Sequence, residues 1–458
     1  MSPIPELIEL PATDGPFEAP NASDVDPAPG VVEIELEAKP TNVELAAGHV
    51  VAIWAYNGSL PGPTIRARVG DTLRVRFKNS LPEPTTIHWH GLRVPADMDG
   101  APARQVPAGA EFIYEFILLD AGTFWYHPHV HSEQQVERGL YGAIVVTGAD
   151  EPATSSDHVI VLDDVLLGAD WQLVRFTPMQ ALSGRQGNLV LVNGRAYPIA
   201  HLGAAGAHRF RFINAANARY FRIALPGESF VQIGSDGGLL EAPRAREELL
   251  LVPGERADVV WEAPAGGSPS AERPTFEWRT LRYDRGHHTG DLPETSLFRA
   301  TLEPGSFDPG STAPLAGTPP HWATIPELPA PSRERQLRLE QATLAGRGMG
   351  PVFAINGQTY PNVTPLVSEL GAVEQWAILN DTDMDHPFHL HGFRFQLVEA
   401  PDPELLTFRA WRDTVNVPAR QSLKFRVQFE AHPGTWMFHC HILEHAENGM
   451  MGELEVMP

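Results

Sequence analysis

Residues 57–93 read NGSLPGPTIRARVGDTLRVRFKNSLPEPTTIHWHGLR, and residues 356–394 read NGQTYPNVTPLVSELGAVEQWAILNDTDMDHPFHLHGFR. Both run through Asn-Gly, a proline-bearing turn, a strand ending in Asn, a polar turn and then His-x-His-Gly. A weaker third copy begins VNGRAYP at Val192 and continues into HRFRFINAANARYFRIAL, with Tyr220-Phe221-Arg222 where the outer copies carry histidines. A second echo follows each outer copy, AGTFWYHPHVH at 121–131 and PGTWMFHCHILEH at 433–445. Two matches at similar offsets point to internal duplication of a unit about 130–150 residues long.

The unit is β-rich. VVEIEL, TLRVRF, FIYEFIL, GAIVVTG, HRFRFIN, ADVVWEA, LKFRVQFE and GELEVMP alternate apolar and polar residues, the mark of half-buried strands. The 43 Pro and 40 Gly suit many short strands joined by turns. The expected fold is all-β, three consecutive Greek-key sandwich or barrel domains. GADEPATSSD (148–157) and the Pro/Ser/Gly-rich stretch 304–335 mark the joints, which gives domains at 1–150, 151–310 and 335–458, with 311–334 as linker.

Composition narrows the function. A formal net charge of −23 argues against nucleic-acid binding, which needs clustered cations. Lysine occurs only at 39, 78 and 424, while arginine is common, which fits genome bias or heat tolerance and says little about function. The single cysteine excludes an intrachain disulfide framework. No apolar run of about 18 residues is present, so no membrane span is expected. The start, MSPIPELIELPATDG, lacks the basic-then-apolar pattern of an export signal. The chain is expected to be either cytoplasmic or the mature form of an exported protein.

Of 19 histidines, ten fall in four clusters: HWH (88–90), HPH (127–129), HPFHLH (386–391) and HCHILEH (439–445). Imidazole is the commonest transition-metal ligand, and the clusters occupy matching places in two repeats. His49, His158, His201 and His208 stand alone and read as ordinary surface or core residues; His131 extends the second cluster. In an extended segment residues i and i+2 share a face. His439 and His441 therefore face one way and Cys440 the other. On the Cys440 side, His386, His445 and the thioether of Met450 complete two imidazoles, one thiolate and a weak axial sulfur, the ligand set of a blue-copper site. On the other side remain eight histidines in four His-x-His pairs, enough for about three metals between domains.

With HWHG, WYHPH, HPFHLHG and HCHILEHAENGM in order, the chain resembles a three-domain multicopper oxidase, bacterial and laccase-like. QIGSDGGLLEAP and VPGERADVV extend the resemblance through the middle domain. It implies cupredoxin-like domains and four coppers. His386, Cys440, His445 and Met450 would hold the type 1 ion, and His88 and His389 the type 2 ion. His90, His127 and His441 would hold one type 3 ion, and His129, His391 and His439 the other. The implied reaction takes single electrons from phenols or aromatic amines and reduces O2 to water. The donor would dock beside an exposed edge of His445 or His386, and electrons would cross Cys440 to His439 and His441. An oxidase of Cu(I) or Fe(II) is the alternative, although nine methionines form no rich segment. The resemblance further implies an exported, monomeric protein, periplasmic or secreted.

O2 reduction consumes protons, so acids near the site are expected. Asp99, in MDGAPARQVPAG, matches an acid that the family keeps near the type 2 site; read alone, Asp99-Gly100 is a turn. Asp413 in WRDTVNVP is a second candidate, as a partner of a ligand. Many bacterial relatives carry Glu directly after the second type 1 histidine. Here that residue is Ala446, so Glu447 is the candidate substitute, and alternation assigns no direction to Glu444. HHTGD (287–291) could border the donor pocket, or be a solvated turn.

Overall fold

The computed structural model describes residues 4–149, 151–175, 177–203, 206–264, 274–286, 289, 291–303, 323–342 and 352–458. The expected linker residues 311–322, and His287 and His288 of HHTGD, lie outside them. Residues 323–332 lie outside any helix or strand, with Ile325 and Leu328 buried beside Val373 and Trp411.

The described strands form three β-sandwiches in chain order. In the first, a sheet ordered His49–Tyr56, Val31–Ala46, Thr72–Asn79, Glu111–Ile117 packs on one ordered Gly62–Arg68, Gly142–Thr147, Gly122–His127, His88–His90. Their shared core holds Leu36, Val75, Phe77 and Phe116 from one sheet and Ile65, Trp89, Tyr126 and Ile144 from the other. The middle sandwich pairs a six-stranded with a five-stranded sheet around Phe210, Phe212, Trp261, Trp278 and Phe298. The last pairs two five-stranded sheets around Trp376, Phe388, Phe425, Trp436 and Phe438.

The repeat quoted above has a physical basis in two asparagines per copy. Asn57, Asn193 and Asn356 each take a positive φ (52°, 50° and 52°) before a glycine that does the same, the backbone of a tight hairpin turn. Each side-chain amide then pairs with a neighbouring strand. Asn57 donates to Glu35 O and accepts from Glu37 N–H, Asn193 does the same with Val159 and Val161, and Asn356 with Gln336 and Arg338. The strand-ending residues Asn79, Asn214 and Asn380 are buried. Each donates to carbonyls of two separate segments and accepts the N–H two residues on. These amides hold the turn that aims the next segment, which carries histidines in the first and last sandwiches and Tyr220 in the middle one.

Strand pairing sets the histidine register. His88–His90 runs antiparallel to Gly122–His127, with His88 opposite His127. His386–Leu390 runs antiparallel to Gly434–Cys440, with His389 opposite His439 and Phe388 opposite Cys440. Cys440 therefore sits on the core side with Phe388, while His389 and His439 face the first sandwich.

Asn214→Ala removes three hydrogen bonds at a buried site that holds no histidine. It is expected to cost about 2–3 kcal/mol, read as a lower urea midpoint, with copper content per folded chain unchanged.

Candidate metal centre

Between the first and last sandwiches the eight histidines converge. His90, His127 and His441 form one group whose ring nitrogens lie within 4.8 Å of one another; His129, His391 and His439 form a second, and His88, His90 and His389 a third. All are buried. His439 Nε2 lies 3.2 Å from His129 Nε2 and 3.0 Å from His391 Nε2.

The outer nitrogens explain the orientation. His391 Nδ1–H donates to Asp99 Oδ2 at 2.8 Å, and His88 Nδ1–H to the Asp99 carbonyl at 3.0 Å. His389 Nδ1–H donates to the Asp413 carbonyl at 2.9 Å, and His90 Nε2–H to Asp413 Oδ1 at 3.2 Å. His127 and His439 donate to the carbonyls of Pro128 and Cys440. A ring that donates from one nitrogen presents a lone pair at the other. The inward nitrogens, Nε2 of His88, His127 and His389 and Nδ1 of His90, are buried with no protein partner. Burial, and then neighbouring imidazoles, lowers the pKa of His90, His127, His391, His439 and His441 and keeps the rings neutral.

The second site lies behind the strand. His386 Nδ1 is 3.3 Å and His445 Nδ1 3.7 Å from Cys440 Sγ, and the two nitrogens are 3.2 Å apart. Both outer nitrogens are again engaged: His386 Nε2–H donates to Thr382 Oγ1 at 2.8 Å and His445 Nε2–H to the Leu182 carbonyl at 3.1 Å. Burial pushes the Cys440 thiol up to about 12, and burial, then Arg285, pushes His386 down to about 3. Met450 is buried; its carbonyl accepts from Cys440 N–H and its N–H donates to the His445 carbonyl. Met451 instead lies opposite His439 at the start of the closing strand.

One expectation is overturned. Neither His386 nor His445 offers an exposed edge: both are fully buried. The helix Pro178–Ser183 of the middle sandwich covers the site through Leu182, and Phe353 stacks on His445 at 4.0 Å. Of the remaining acids, Glu447 lies on the helix Leu443–Glu447, where it accepts the N–H and O–H of Ser132, both at 2.8 Å. Glu444 is buried and accepts from Asn217 Nδ2. His131 is exposed and joins no group. Asp99-Gly100 is both a turn and an acid at the site. Gly100 has φ +74°, and a Cβ there would lie 1.8 Å from the Ile87 carbonyl.

Residues 37–151, 125–269 and 329–458 each match a multicopper oxidase family model. The chain is 32% identical over 460 residues to the multicopper oxidase MmcO of Mycobacterium tuberculosis, covering 93% of this chain and 87% of that one. This chain belongs to the multicopper oxidase family. Its structure is similar to the multicopper oxidase from Campylobacter jejuni, described as a metallo-oxidase, with TM-score 0.84 and 31% identity over 100% of this chain and 98% of that one. It is also similar to a laccase from Pediococcus acidilactici, with TM-score 0.81 and 27% identity over 99% and 96%. The sandwiches are accordingly cupredoxin-like, the protein is an oxidoreductase, and copper is its metal. The orphaned, neutral, inward-facing nitrogens and the thiol between two imidazoles fit that ion.

Sequence reading underrated the middle sandwich. Arg256 of VPGERADVV is fully buried, and its guanidinium grips both oxygens of Asp413 at 2.7 and 2.5 Å. The Asp413 carboxyl, which burial raises, is held well below its usual range chiefly by Arg256. Asp236 accepts the N–H groups of Arg256, Asp413 and Thr414. The motif is visible in the sequence, but its partner lies 157 residues away and has no local signature.

Asp413→Ala leaves buried Arg256 with only the more distant Asp236 carboxylate, at 3.4 Å, and is expected to cost about 3 kcal/mol, measured by urea denaturation of the apoprotein. Adding Arg256→Met is expected to recover more than half of that loss; simple additivity of the two substitutions would refute the coupling.

Proposed function

We propose that the chain is a laccase-type oxidase that takes single electrons from phenols or aromatic amines and passes them to O2. The observation that carries this reading is the junction at His439-Cys440-His441. Its thiol joins the His386/His445 group, and its two imidazoles join two separate groups of the eight-histidine site. When bound, four coppers would supply one-electron acceptance at the first site and four-electron reduction of O2 at the second. His386, Cys440, His445 and Met450 would hold the type 1 ion, and His88 and His389 the type 2 ion. His90, His127 and His441 would share one type 3 ion, and His129, His391 and His439 the other.

Cys440 contributes a path of covalent bonds, from Sγ through its own backbone to the rings on either side. Asp99 fixes the tautomers of His391 and His88, and Asp413 those of His389 and His90. Both carboxylates reach the oxygen-reducing site and serve as its proton-handling groups, with Glu447 the third. Operation as an exported monomer is part of the same proposal and rests on the family resemblance.

A second reading, oxidation of Cu(I) or Fe(II), is favoured by the cover over His445. The Leu182 carbonyl caps that imidazole, and Met179 on the same helix is 47% exposed. The likeness to a protein described as a metallo-oxidase supports this reading too. Turnover of a phenolic dye compared with Cu(I) and Fe(II) separates the two. If only the metal ions are oxidised, the aromatic assignment fails.

The copper-loaded protein is expected to show an intense blue band that Cys440→Ser abolishes, with four coppers per chain falling to three. Retention of the band in that variant would contradict the Cys440 assignment. Replacing residues 178–183 by a Gly-Ser segment is expected to raise kcat/KM for a bulky phenol roughly tenfold, about 1.4 kcal/mol. An unchanged ratio of phenol to Fe(II) turnover would show that the cover does not select the donor.

A further inference from the structure

Arg285 is a fully buried arginine whose Nε and Nη1 have no hydrogen-bond partner. Among the described residues no carboxylate lies within ion-pair distance of it. The acids nearby are committed elsewhere. Asp385 accepts from Tyr283 O–H at 2.6 Å, Asn416 Nδ2 at 3.0 Å and Ala419 N–H at 2.9 Å. Glu444 accepts from Asn217 at 2.8 Å. A buried cation without a counter-ion is costly, so its retention calls for a reason at its own location.

That location is the wall of the His386/Cys440/His445 site. The Arg285 carbonyl accepts Asp385 N–H at 2.9 Å, one residue before His386, and Gly286 bridges to Met384. The guanidinium lies over the Tyr220 ring at 5.6 Å. A Cβ built on Gly184 would meet Arg285 Nη1 at 3.2 Å and Ile442 Cγ2 at 2.8 Å, so the cation and Ile442 flank one glycine. Ile442 N–H in turn donates to Cys440 Sγ at 3.4 Å. Arg285 Nη2–H donates to the Ser183 carbonyl, one residue beyond the carbonyl that receives His445 Nε2–H.

We infer that Arg285 is a positioning residue of the middle sandwich whose uncompensated charge raises the electron-accepting strength of the type 1 site. A fixed positive charge disfavours the more positive, oxidised ion relative to the reduced one, and the surrounding low dielectric magnifies the effect. The inference rests on the oxidase reading above.

The test is potentiometry of the blue band in copper-loaded wild type and in Arg285→Lys, Arg285→Gln and Arg285→Met. Two neutral replacements of different shape guard against one that fails to fold. The neutral variants are expected to shift the equilibrium with a one-electron mediator at least tenfold toward the oxidised site, a midpoint about 59 mV lower. Arg285→Lys is expected to stay close to wild type. Neutral variants that keep the wild-type midpoint overturn the inference, as does a fall in Arg285→Lys as large as theirs. A wild type with no blue band would instead overturn the oxidase reading itself.

Discussion

Metal binding here depends on what each imidazole does with its outer nitrogen. A neutral ring has one N–H and one lone pair, and burial keeps it neutral. Where Asp99, Asp413 or a backbone carbonyl takes the outer proton, the lone pair must face inward. The strand register supplies the positions, because His88 opposite His127 and His389 opposite His439 bring two pairs from each outer sandwich to one seam. Inward nitrogens with no protein partner are a desolvation cost that the fold carries without metal. Copper removes that cost, so binding and stability are linked.

Among the described residues the middle sandwich adds no side chain to the histidine groups, yet both sites depend on it. At the eight-histidine site Arg256 and Asp236 hold Asp413 by its carboxylate and backbone. Gly254, with φ +88°, lets that sandwich close on His441, since a Cβ would come within 2.9 Å of the ring. At the thiol site the middle sandwich sends Leu182 to His445 and Arg285 to the segment before His386. Loss of histidines from the third repeat thus coincides with a change of task, from holding metal to fixing and covering the residues that do. Tyr220, which stands at the His-x-His position of the third repeat, is buried and donates to Asn416 Oδ1 beside the thiol site.

Legibility followed sequence distance. His88/His90, His439/Cys440/His441 and the Asn-Gly turns are read from alternation and spacing because their geometry is set within a few residues. The all-β fold follows from the same alternation. The covering helix Pro178–Ser183 is six residues long, and its sequence, PMQALS, carries no sign of what lies beneath it. Thr177 forms its capping box, so a helix start can be read, but its contact with His445 spans 263 positions. Buried arginines mislead in the same way. Arg256 and Arg285 resemble surface residues by composition, and only packing reveals that one grips a carboxylate while the other is left uncompensated.

Position 446 shows how far a motif can carry a chemical argument. Ala446 is buried on the helix Leu443–Glu447, directly after His445, and the next residue, Glu447, turns to Ser132. Glu133, the residue after Ser132, is itself buried. Burial, and then the charge of Glu447, pushes that carboxyl up to about 7. Glu133 is thus able to hold a proton near neutral pH, and it comes from the first sandwich rather than from the HCHILEHAENGM stretch. The junction that carries Ala446 thus lies beside a carboxyl of another sandwich, one whose proton affinity is raised by burial and then by Glu447.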